Sequence, residues 1–130
     1  GQRMVSLHAE VRADEDILVI HDVIDRIEME LRSKFRCEAT IHMDPIEVDD
    51  AATNAMRERV KGIVQQIDAK LSIHDFRMVV SPTHTNLIFD VCVPHRFHMA
   101  DAQVSHAVHE GIRTLGDHYF AVIQVEHGYL

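Results

Sequence analysis

The chain has 130 residues, of which 46% are hydrophobic and 26% charged, so it is too apolar for a disordered protein and suits one domain or two very small ones. Its formal charge of −8 argues against a protein that binds nucleic acid phosphates through a basic face. The longest aliphatic run, 17–20, is far too short to span a bilayer. Two isolated cysteines, Cys37 and Cys92, predict neither a disulfide framework nor a zinc ribbon and favour a reduced, intracellular setting.

Histidine is the unusual residue in the composition. The chain has eleven histidines and no tryptophan. Because histidine is the commonest metal ligand, this number together with the excess of acidic side chains favours a metal cation as partner. The composition leaves open the alternative of a merely histidine-rich surface.

Hydrophobic periodicity predicts eight elements. Apolar and polar residues alternate in 4–11, as in a half-buried strand, whereas apolar residues recur every three or four positions after Asp16, as in a helix. Acidic residues at 14–16 are expected in the first turn of that helix, and Asp44-Pro45 is expected to end the second strand. The predicted elements are strand 4–11, helix 16–35, strand 37–43, helix 51–71, strands 73–80 and 87–93 joined by a hairpin turn at 81–86, helix 99–115 and strand 119–125.

This order, β-α-β followed by α-β-β-α-β, contains a repeat. Residues 4–11 align with 86–93 and residues 39–44 with 121–126, while Ile20 aligns with Val104 in the intervening helices. The sequence therefore predicts an α+β fold of two layers with two ferredoxin-like, metallochaperone-like repeats. We expect a partial first repeat at residues 1–47 and a second repeat at residues 51–130. Because the first repeat lacks a helix and a strand at its front, we expect the chain to begin inside a larger protein.

The sharpest chemical signal is His42-Met43-Asp44. Positions i and i+2 of a strand face the same side, so His42 and Asp44 can offer a nitrogen and an oxygen to one cation. That ligand mix suits Zn²⁺ and related ions, and His8 lies on the other strand of the same unit. The alternative is that these side chains form an ordinary polar outer face of two strands.

Other histidines indicate weaker hypotheses. HD dipeptides at 21–22 and 74–75 occur in metal-dependent phosphohydrolases, but those enzymes are all-helical and much of this chain is predicted strand. His106 and His109 lie one helical turn apart and could share a cation. Their positions away from the apolar stripe of the third helix favour a solvated surface instead.

Residues 4–11, the β-α-β unit that they begin, and the sequence His42-Met43-Asp44-Pro45 resemble the cytosolic C-terminal domain of cation diffusion facilitators. These are bacterial inner-membrane antiporters that export Zn²⁺ and related divalent ions in exchange for protons. The family domain has the order α-β-β-α-β and dimerises beneath the membrane. Its motifs are an HD dipeptide on the first strand, a histidine on the second and H-x-D-P at the end of the third. His8, His42 and Asp44-Pro45 match the last two motifs.

The second repeat resembles the whole family domain but departs from its metal motif. His74-Asp75 matches the first-strand dipeptide, whereas Asp90 stands in place of the second-strand histidine. Gln124 and Glu126 replace the histidine and aspartate of H-x-D. These departures put a family-type metal site in the second repeat in doubt.

The resemblance implies a non-catalytic regulatory and dimerisation domain rather than an enzyme. It implies a divalent metal such as zinc, bound by His8, His42 and Asp44, with a fourth position open to water, to an upstream motif or to His74 of a neighbouring copy. The implied partners are the metal ion, a transmembrane domain absent from this chain and a second copy in a homodimer, with no nucleic acid. The implied location is the cytoplasmic face of the bacterial inner membrane. The alternative reading is a free-standing α+β domain that senses a metal or a small ligand.

Overall fold

A computed structural model describes residues 3–47 and 50–128. The chain forms two compact units, Gly1–Ile46 and Glu47–Leu130. In each unit, helices pack on one face of a β-sheet, and the order is β-α-β and then α-β-β-α-β. The predicted two-layer α+β fold with a ferredoxin-like arrangement is thereby confirmed. None of the helices in the described ranges has both the length and the apolar composition needed to cross a membrane.

The first unit is a parallel strand pair joined by one helix. It contains β1 (Met4–Arg12), α1 (Ile17–Phe35) and β2 (Glu38–Ile46), and α1 packs against β2. The acidic residues expected in the first helical turn lie before it instead. Asp16 is the N-cap, and its side chain accepts a hydrogen bond of 2.9 Å from the Leu18 N–H. Satisfying an otherwise unpaired helical N–H explains why an aspartate is favoured there.

The prediction that Asp44-Pro45 ends the second strand is wrong, because β2 continues to Ile46. The Glu38 N–H bonds to the Arg3 carbonyl, so the even-numbered residues of β2 direct their backbone groups toward β1. Pro45 therefore lies in the outward-facing, odd-numbered row, where its missing N–H removes no bond to β1. Edge strands tolerate proline for this reason.

The second unit has three strands and two helices. Its sheet has the order β3-β4-β5, with β3 antiparallel and β5 parallel to β4. The bounds of its elements are α2 (Ala51–Ile67), β3 (Ser72–Val80), β4 (Thr85–Val93), α3 (Asp101–Arg113) and β5 (Tyr119–His127).

Helix α2 is shorter than predicted, ending at Ile67 rather than at residue 71. The apolar pattern continues because Leu71 is buried, but it does so beyond the helix. At the other end, Asp50 caps the helix by accepting a hydrogen bond of 2.6 Å from the Thr53 N–H. Hydrogen bonding with the Thr53 side chain, and then with this backbone N–H, lowers the pKa of Asp50 from its ordinary value. The contribution of Asp50 to stability is therefore present above that ordinary pKa and lost as the pH falls through the lowered one.

Coverage of the sheet differs between the two units. In the second, α2 and α3 cover one face, and Leu87 and Phe89 on β4 are no more than 1% exposed. At the aligned positions of the first unit, Val5 and Leu7 on β1 are 36% and 44% exposed. The first unit has a single helix, so its apolar face is only partly covered.

We expect this difference to appear in a matched pair of substitutions. Leu87→Ala should lower the free energy of unfolding of the second unit by about 2–5 kcal/mol, as cavity-forming changes in buried sites do. Leu7→Ala should cost about 1 kcal/mol or less, because Leu7 keeps much of its surface in water. Urea denaturation followed by circular dichroism measures both. Equal costs would contradict the observed burial.

Candidate metal centre

The parallel pairing of β1 and β2 places two histidines side by side. Met4 pairs with Glu38, so partners lie 34 positions apart, and His8 is paired with His42. The two imidazole rings stack with centroids 5.1 Å apart and an interplanar angle of 29°. Since Val5, Leu7 and Ala9 alternate with His8 along β1, the histidines lie on the face opposite to the apolar residues.

Asp44 completes the predicted set on the same face. The Nδ1 atom of His8 lies 3.1 Å from Oδ2 of Asp44, within hydrogen-bonding distance. The His8 side chain is 68% exposed and that of Asp44 is 34% exposed, so the pair faces solvent. The structure thus brings together the three residues that the sequence predicts on this unit: a carboxylate orients one imidazole, and the second imidazole stacks upon it.

Glu10 is a fourth polar residue that the sequence reasoning did not select. It is the register partner of Asp44 and shares the face of His8. Like charges placed directly opposite one another on paired strands are destabilising, and a bound cation would offset that repulsion. The alternation of residues 4–11 already puts His8 and Glu10 on one face, so this signal was present in the sequence.

The donors suit a zinc-type cation by chemistry: imidazole nitrogens and carboxylate oxygens are its protein ligands. In residues 3–47 and 50–128, however, no three His, Cys, Asp or Glu side chains already converge around a common point. The Nδ1 atom of His8 is instead directed at Asp44, and its ring is stacked on His42. Binding a cation here requires these side chains to reorient.

His74, the remaining predicted ligand, lies on β3 of the second unit. Its register partner is Asp90, and its Nε2 atom is 3.4 Å from the Ser72 hydroxyl. Its contribution to a metal site from a neighbouring copy stays a prediction.

The second unit repeats the strand register without the histidines. Asn86 pairs with Phe120, again 34 positions apart, and Asp90 pairs with Gln124. At the alignment that places Met4 on Asn86, these two residues occupy the positions of His8 and His42. The sequence departure noted above therefore falls on structurally matched positions.

Three carboxylates, those of Asp75, Asp90 and Glu126, lie close enough to interact in the second unit. Burial, together with the negative charges of Glu126 and Asp75, raises the pKa of Asp90, and Arg77 acts in the opposite direction. Asp75 itself has a positive φ of 56°, at the point where the pairing of β3 with β4 is irregular. This face is thus anionic and offers no imidazole from β4 or β5.

The remaining histidines that the sequence singled out belong to other elements of the fold. His106 and His109 are exposed on α3, and His21 is exposed on α1. His127 is engaged by Asp101, whose Oδ2 lies 3.1 Å from its Nε2 atom, which links the end of β5 to the start of α3. Their exposure agrees with the solvated-surface interpretation.

Comparison with known proteins bears on the first unit. Residues 1–46 match the family model described as the cytoplasmic domain of cation efflux proteins. No curated protein and no solved structure matches the chain significantly. The matched segment contains β1, α1, β2 and the whole His8, His42 and Asp44 set. The first unit of this chain is therefore similar to the cytoplasmic domains of cation efflux proteins.

Proposed function

We propose that this chain is the regulatory and dimerisation part of a divalent-cation efflux antiporter, attached to a transmembrane domain at the cytoplasmic face of a bacterial inner membrane. A cation efflux protein is a transporter, so the chain's role is binding and not catalysis. The observation that carries the proposal is the coincidence of the family match with a strand pair that presents His8, His42 and Asp44 together on an exposed face.

The proposed ligand is Zn²⁺ or a related divalent ion, bound by His8, His42 and Asp44. Imidazole and carboxylate donors on a partly exposed surface suit an ion that is taken up and released as its concentration changes. Glu10, opposite Asp44, adds negative charge that attracts the cation.

Regulation would follow from a difference in metal affinity between two arrangements of the domain pair. A metal that binds more tightly to one arrangement of a pair of domains stabilises that arrangement and biases the transporter attached to it. The Nδ1 atom of His8 is directed at Asp44 and its ring is stacked on His42, so these side chains must reorient to bind a cation. The first unit thus provides a side-chain change that metal binding can drive.

Isothermal titration with Zn²⁺ tests the site. We expect the double variant His42→Ala with Asp44→Ala to lose the strongest binding step, a decrease in affinity of at least tenfold. The matched control is His106→Ala with His109→Ala on α3, which removes two exposed histidines outside the centre and should leave that step unchanged. If the control abolishes the step and the first variant preserves it, the assignment is wrong.

The same titration should depend on pH. A protonated imidazole cannot ligate a metal, so Zn²⁺ affinity should fall progressively as the pH is lowered from the neutral into the acidic range. Protons should also be released on binding in that range, which titrations in buffers of different ionisation enthalpy detect. A binding step of constant affinity between pH 7.5 and 5.5 would indicate carboxylate ligands alone.

A further inference from the structure

The outer edge of β2 in the first unit is occupied by side chains from α1. The carboxylate of Glu28 accepts a hydrogen bond of 2.7 Å from the Ile41 N–H. The guanidinium of Arg32 donates one of 3.1 Å to the Ala39 carbonyl. These two side chains satisfy outward-facing backbone groups that another strand would otherwise pair with.

The two capping side chains have no polar counterparts at the equivalent edge of the second unit. The His118 carbonyl accepts from the Thr85 N–H, so the even-numbered residues of β5 face β4 and the odd-numbered residues face outward. Ala121 and Ile123 thus correspond to Ala39 and Ile41. The residue aligned with Glu28 is Ile112, and the residue 84 positions after Arg32 is Gly116, so neither can form the side-chain bonds seen in the first unit.

An open groove lies at this edge. It has a volume of about 470 Å³ and runs between the C-terminal part of α3 and the beginning of β5. Its lining residues include His109, Ile112, Arg113, Tyr119, Phe120 and Ala121. The groove lies beside the same backbone edge that Glu28 and Arg32 cover in the first unit.

Strand β5 also has few of the features that normally protect an edge. Its nine residues contain no proline, lysine or glycine, and its pairing with β4 is regular throughout. On its open face, Phe120 and Val122 are 52% and 50% exposed. By contrast, the other edge strand of this sheet, β3, has an irregularity between His74 and Arg77. Long, regular, apolar edges are the ones that pair with another strand.

We propose that the β5 edge pairs antiparallel with the β5 edge of a second copy of this chain, which joins the two three-stranded sheets into one. The inference extends the proposed function by naming the surface through which two copies associate. A two-fold axis makes the two copies contribute the same surface to the interface. In an antiparallel pair, the two residues opposite each other must either both direct their backbone groups toward the other copy or both direct them toward β4.

Charge complementarity selects the register. With the axis at Val122, Ala121 pairs with Ile123 of the other copy in the hydrogen-bonded row. His118 then lies opposite Glu126, which places a group that can carry positive charge against the one carboxylate of the strand. With the axis at Ile123, Glu126 lies opposite Phe120, so the favourable pair is lost.

Sedimentation velocity of the whole chain tests the surface. Val122→Lys places two ammonium groups opposite each other at the axis, and we expect at least a tenfold weaker dimer. The matched control is Val80→Lys, because Val80 is a β-strand valine of nearly the same exposure, 52%, on the opposite edge strand. The control should dimerise as the unmodified chain does, and circular dichroism should show both variants folded.

Cross-linking tests the register independently. In the proposed pair Val122 faces its own copy in a non-hydrogen-bonded position, where Cα atoms are about 4.5 Å apart, within the range of a disulfide. Val122→Cys should therefore form a covalent dimer under mild oxidation. Phe120→Cys, whose two copies lie four strand positions apart, should not.

The outcomes separate this surface from the proposed function. A dimer that Val122→Lys leaves intact, or equal cross-linking of both cysteine variants, overturns the β5 surface while the proposed dimerisation stands. A chain that is monomeric at every concentration overturns both. A dimer that Val122→Lys weakens and Val122→Cys cross-links supports the surface, whatever the zinc titration of the first unit shows.

Discussion

The register of the parallel strand pair is the constraint on which the candidate centre depends. In each unit, a helix connects two parallel strands whose paired residues lie 34 positions apart. A shift of one residue would turn every side chain of one strand to the other face. It would separate His42 from His8 and place Asp44 among the apolar residues. The length of the helical connection therefore determines that two imidazoles and a carboxylate, distant in sequence, share one surface.

Much of this arrangement could be predicted from sequence, because alternation and helical periodicity are local signals. The positions of the apolar residues alone predict which residues share a face of β1 and that the β-α-β unit is repeated. The order of strands within each sheet and the position of Pro45 inside β2 cannot be predicted in this way. They depend on which residues direct their backbone N–H and C=O groups toward the neighbouring strand. The end of α2 was also missed, because Leu71 is buried by tertiary packing and so continues the apolar pattern after the helix has ended. Alternation along β1 indicates that Glu10 shares a face with His8. Only the register of β1 with β2 shows that Glu10 lies opposite Asp44.

The two units use one architecture for different surfaces. The first places imidazoles on its polar sheet face and closes the β2 edge with Glu28 and Arg32. The second has Asp90 and Gln124 at the matched positions, where burial and neighbouring charge raise the pKa of Asp90, and it has no polar counterparts of Glu28 and Arg32 to cap its β5 edge. The change on the sheet face concerns residues outside the apolar core, so the fold can be retained while the chemistry of that surface changes.

The partial core of the first unit would connect the proposed metal binding to folding. A segment of this size buries a small share of its surface, and units below about 40–60 residues commonly depend on a metal, a disulfide or a partner for stability. Helix α1 has no fully buried residue, and Leu7 is nearly half exposed. Because a ligand that binds only the folded form adds its binding free energy to stability, a cation held between β1 and β2 would stabilise this unit directly. The proposed cation site thus lies in the unit whose apolar face is less completely covered.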